Sequence, residues 1–117
     1  MKTENTVRIV NDWKPEVSSL IQTLQKHGFT VESVDNGETR VNLATAGEAE
    51  FLSEAVACDE ATLLCIAPNG KRVGLFLVLG NDPGELVCDY SCSPDLDKVT
   101  EEHGKLWFGR PQPTTEV

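Results

Sequence analysis

Two turn sequences in the second half of the chain constrain the fold most. Pro68-Asn69-Gly70-Lys71 and Gly80-Asn81-Asp82-Pro83-Gly84 cut it into three apolar runs, residues 62–67, 73–79 and 85–91. Runs this short, bounded by Gly, Pro and Asn, read as strands. Parallel neighbours would need a crossover of a dozen or more residues, and these loops are far shorter. The three runs therefore form an antiparallel meander. Residues 73–79 are apolar on both faces, which places them in the centre of the sheet. In the third run Leu86, Cys88 and Tyr90 fall on one face and Val87, Asp89 and Ser91 on the other.

The first half supplies helices and a hairpin. Val17, Leu20, Ile21 and Leu24 recur at the helical spacing. Asp12 is a candidate cap, and Pro15 suits the first turn. Gly28 marks the stop, because the residue after a helix favours positive φ and glycine carries no Cβ to oppose it. Phe29 is placed to fold back on the last turn. Residues 29–43 read as a hairpin around Asn36-Gly37, which predicts a type I′ turn. A second helix is predicted to open at Thr45, with Glu48 closing a capping box and Phe51, Leu52, Ala55 and Val56 facing inward. A third helix begins at Ser93-Pro94 and carries Leu96, Val99, His103, Leu106 and Trp107 on one stripe. A weak strand covers residues 6–10.

The order is (β)αββαβββα: an α+β fold with about five antiparallel strands and three helices. With 117 residues the chain is one domain. It is expected to span residues 1–109, with 110–117 as a flexible tail.

Charge narrows the function. Nineteen acidic against ten basic residues give −9, which argues against direct binding of nucleic acid or of anionic membrane. No run is long and apolar enough to span a bilayer, and residues 1–5 begin no signal peptide, so the expected location is cytoplasmic. The acid is spread along the sequence, so its field on the folded surface can guide a basic partner.

Motifs for chemistry are sparse. Cys58, Cys65, Cys88 and Cys92 lack the paired short spacings of a zinc site. Cys65 and Cys88 are expected as small buried strand residues. His103 lies on the inner stripe of the third helix and reads as a packed residue. Acids at the start of that helix are accounted for by its dipole. No cofactor is expected. A second reading is a small enzyme using Cys88 or Cys92, or a metal held by Asp82, Glu85 and Asp89.

The run Gly74-Leu75-Phe76-Leu77-Val78-Leu79-Gly80-Asn81-Asp82-Pro83-Gly84-Glu85-Leu86-Val87-Cys88-Asp89-Tyr90 resembles a stretch found in small uncharacterised proteins of phages and plasmids. Upstream, Leu24-Gln25-Lys26-His27-Gly28-Phe29-Thr30-Val31 is similar to theirs as well. The resemblance implies an accessory protein of a mobile element, similar in size and charge to anti-CRISPR and anti-restriction inhibitors. The leading expectation is thus a non-enzymatic inhibitor that presents an acidic surface to a basic, nucleic-acid-binding partner in a host defence complex. The candidate contact residues are Asp82 and Glu85 at the turn, Asp95, Asp97, Glu101 and Glu102 on the third helix, and Trp107 and Phe108 at its end.

Overall fold

The computed structural model describes residues 9–11, 13–79, 84–108 and 114–116. Five strands form one antiparallel sheet: β2 (Thr30–Asp35), β3 (Arg40–Asn42), β4 (Glu60–Ile66), β5 (Arg72–Val78) and β6 (Val87–Tyr90), in the order β3-β2-β4-β5-β6. The α+β reading and the meander both hold. β4 rather than β5 takes the centre. A separate antiparallel pair joins β1 (Ile9–Asn11) to β7 (Thr114–Glu116). Residues 114–116 are thus a strand, although the sequence reads as a loose tail there.

The first helix, α1 (Lys14–Lys26), ends as its sequence dictates. Gly28 has φ +88°, the Phe29 N–H donates to the Leu24 carbonyl, and the Gly28 N–H donates to that of Gln25. This pair of bonds satisfies carbonyls that a helix end leaves bare, and buried Phe29 packs back as expected. Asp12, the candidate cap, lies outside the described residues.

Two local expectations are corrected. Four residues, 36–39, connect β2 to β3, because Asp35 pairs with Arg40. Asn36 does not take positive φ; only Gly37 does. The Asn36 side chain has other work. Its carbonyl oxygen accepts from the Glu38 and Thr39 N–H groups, while its amide donates to the Glu54 carbonyl and carboxylate. Those bonds dock the turn on a helix and outcompete the type I′ geometry. The capping box at Thr45 also fails. Thr45 lies inside a one-turn helix, α2 (Leu43–Ala46), which takes Leu43 out of the returning strand. Gly47, with φ +86°, breaks the chain and caps α3 (Glu48–Ala55).

The last helix, α4 (Pro94–Trp107), starts as read: the Ser93 hydroxyl accepts from the Leu96 N–H. Leu96, Val99, His103 and Trp107 are buried, but Leu106 is 46% exposed and leaves the predicted stripe.

One core holds the layers together. It combines Val17, Leu20 and Leu24 of α1, Phe51 and Ala55 of α3, and Leu96 and Val99 of α4 with the inward strand residues. Both β4 and β5 alternate strictly between buried and partly exposed positions. A bulge in β6 disturbs the alternation there. Leu75 pairs with Tyr90 and Phe76 with Asp89, but Leu77 pairs with Val87. Cys88 is therefore the extra residue, and it is exposed rather than buried as expected.

Candidate functional site

Two of the acidic side chains of α4 lie where its N-terminus meets β6. Asp95 and Asp97 occupy the first turn, where the positive end of the helix dipole favours them. The Tyr90 hydroxyl donates to Asp97 over 2.7 Å, fixing this turn beside β6. Glu101 is exposed and stands 3.9 Å from Lys105. Glu102 accepts from Lys26 at 2.8 Å and contacts the His27 ring at 3.0 Å. The Lys26 bond, then the His27 bond, holds its carboxyl below the usual carboxylate range. Glu85 is exposed. Asp82 lies outside the described residues.

The aromatic end of α4 divides. Trp107 is 7% exposed, and its indole N–H donates to the Ser19 hydroxyl. Phe108 is 70% exposed. Of the two, only Phe108 offers a solvent-facing ring. It sits against Gly84, where a Cβ would fall 2.6 Å from the Phe108 backbone.

A buried pair lies beneath this end. Glu16 is 0% and His103 1% exposed, and the His103 Nε2 stands 2.8 Å from the Glu16 Oε2. The same oxygen accepts from the Gly84 N–H at 3.1 Å. With the Gly84 N–H already donating to this oxygen, the simplest arrangement has the His103 Nε2–H donating to it as well. Helical periodicity did not reveal Glu16, because a charged residue beside an apolar stripe normally faces water. With His103 bonded to Glu16 and the thiols of Cys88 and Cys92 exposed, the described geometry joins neither cysteine to a histidine base. Burial pushes the Cys65 thiol up to about 12, which suppresses its thiolate. Among the described residues no group of three His, Cys, Asp or Glu side chains is arranged to hold a metal ion.

The sequence reading missed the outward face of the sheet. Thr62, Leu64, Ile66, Gly74, Phe76 and Val78 are partly exposed there and stand outside the core. Opposed residues of antiparallel strands share a face, so the register lays out rows across the sheet. One row reads Arg40–Asp35–Thr62–Phe76–Asp89, and the next reads Glu60–Val78. Arg72 lies on this face with its guanidinium 3.5 Å from Glu32. Two depressions flank Phe76. Asp35, Glu60 and Thr62 help line one; Asp89, Tyr90, Ser91 and Gly74 help line the other. The available signal was apolar residues on both faces of residues 73–79, which suggested burial on both sides.

The chain matches no protein-family model, no curated protein and no solved structure. Among the described residues no helix is long and apolar enough to cross a membrane.

Proposed function

We propose that the chain is a non-enzymatic, cytoplasmic binding protein of a phage or other mobile element. It acts by presenting an acidic surface to a basic, nucleic-acid-binding partner, in the manner of an anti-CRISPR inhibitor. The observation that carries this reading is the imbalance of surface charge. Nineteen acidic residues stand against ten basic ones, and Glu85, Asp89, Asp97 and Glu101 are among the exposed acids. Such a surface repels nucleic acid and attracts the proteins that bind it. The resemblance of residues 74–90 to phage and plasmid proteins supports the biological setting. Against the alternative of a cysteine enzyme, the thiols of Cys88 and Cys92 are exposed and the His103 Nε2 is engaged with Glu16.

The test is biological and direct. Expressed in bacteria that carry an active CRISPR or restriction system, the chain should raise phage plating on at least one of them. The protein it retains there should bind nucleic acid, should be released by salt, and should be displaced by duplex DNA. Unchanged plating in every such host, together with a retained partner indifferent to salt and DNA, would contradict the proposal.

A further inference from the structure

From the row across the open sheet face, we propose that the partner docks on Phe76 and the acidic depressions beside it, rather than on α4. The occupant is a protein segment carrying basic side chains around an apolar residue. This rests on the acidic-surface reading above and assigns it a place.

Three observations lead there. First, Leu64, Ile66, Phe76 and Val78 keep an apolar strip partly in solvent, outside the core that α1, α3 and α4 share with the inward residues. Neighbouring strands stand about 4.8 Å apart, so such a strip forms a flat, preordered platform. Second, acids outnumber bases at the rim. Asp35, Glu60 and Asp89 are exposed at its margins; Arg40 stands opposite Asp35, and the guanidinium of Arg72 lies 3.5 Å from Glu32. An apolar centre within a polar rim is the usual anatomy of a protein interface, and the sign of this rim selects a cationic partner. Third, Phe76 and Thr62 line both depressions. A Lys or Arg entering either one meets carboxylates at its wall and the aromatic ring at its side, which combines ion pairing with cation–π attraction.

The register also sets the spacing. Asp35 and Asp89 sit on β2 and β6, with β4 and β5 between them. Three strand spacings, roughly 14 Å, therefore separate the two carboxylates. Lys and Arg stems four residues apart on an extended segment, about 13 Å, match that span. Gly74 contributes by omission. Its neighbours Leu64 and Thr62 would meet a Cβ at 3.8 Å, ordinary contact. A side chain would therefore fit, and glycine leaves that volume open beside Phe76. Two α4 acids are already set against basic side chains: Glu102 against Lys26 and His27, and Glu101 against Lys105.

The experiment uses the full chain and three synthetic probes: a short peptide alternating Arg with Leu, one alternating Glu with Leu, and one alternating Arg with Ser. Fluorescence anisotropy gives affinities and amide NMR gives the contact residues. The Arg/Leu peptide should bind tightest and shift the amides of Asp35, Thr62, Gly74, Phe76 and Asp89. Phe76→Ser should weaken it about tenfold with little change in melting temperature. Asp35→Asn with Asp89→Asn should weaken it similarly and flatten its salt dependence. Reversal of Asp95 and Glu101 to Lys should leave it within about threefold.

If instead the α4 reversal abolishes binding and Phe76→Ser does not, the acidic-surface reading stands and this docking face is wrong. Equal binding of the Glu/Leu peptide would overturn cation selectivity, and self-association lost with Phe76→Ser would identify a second copy as the occupant. Absence of salt-sensitive binding to either Arg peptide would remove the broader reading as well.

Discussion

Replacing Glu16 by Leu strips a carboxylate from the centre of the α1–α4 contact. The substitution leaves the His103 Nε2–H and the Gly84 N–H without their shared acceptor. A buried donor left unsatisfied costs about 1–3 kcal/mol. His103 is 1% exposed and bears the larger share, while Gly84 is partly exposed and water can reach it. The expected loss is about 3–4 kcal/mol, in line with breaking a buried pair by removing one partner. Against a total stability of about 5–15 kcal/mol, that is a large fraction. For a domain of this size it lowers Tm by about 10–20 °C. Glu16→Gln keeps an acceptor of the same shape and should cost about 1 kcal/mol.

Combining Glu16→Leu with His103→Leu removes both polar partners at similar volume, which is often close to neutral. The double variant should therefore recover at least about 2 kcal/mol relative to the sum of the singles. Urea unfolding followed by tryptophan fluorescence suits the assay, since Trp107 reports on this contact through its bond to Ser19. A Glu16→Leu protein within about 1 kcal/mol of wild type, or a double variant no better than additive, would refute the reasoning.

Other outcomes follow from single features. Gly28→Ala forces a Cβ at φ +88° and sets it 3.1 Å from the Pro68 ring, so thermal melting should show a loss of about 1–2 kcal/mol. Gly84→Ala should cost more, because the new Cβ meets Phe108 backbone atoms rather than a yielding side chain; an unchanged Tm would argue against that close approach. In a thiol titration of the native protein, exposed Cys88 and Cys92 should react rapidly and Cys65 only after unfolding. Cys58, whose thiol is raised by partial burial and by Glu38, Asp59 and Glu54, should react more slowly than the first two. Glu102, held below its ordinary value by Lys26 and His27, stabilises the fold above the unfolded carboxylate pKa. That contribution is lost as pH falls through the lowered folded value, so Glu102→Gln should reduce the acid sensitivity of Tm.

Elements with strong local signals were legible in the sequence. The α1 stop at Gly28, the Ser93 cap and the meander loops each depend on a few neighbouring residues whose preferences agree. Failures came where distant contacts outweighed local chemistry. Asn36 gives up its hairpin turn type to bind Glu54 on α3, and Gly47 divides a helix that Thr45 alone would have started. The bulge that exposes Cys88 arises from pairing with β5 and leaves no mark in the alternation of β6 itself. The site shows the same division. Acidity was visible as composition and placed on α4, whereas Asp35, Phe76 and Asp89 lie far apart in sequence and meet only through register. Glu16 was invisible for that reason too, since its partner His103 comes from the other end of the chain.

The central claim is that binding is driven by an acidic surface. Its most direct measurement is the association rate constant between the intact chain and its captured partner across a range of salt concentrations. The rate should fall by about tenfold or more between roughly 50 and 300 mM salt, while dissociation changes little. An association rate that stays flat across that range would contradict the account.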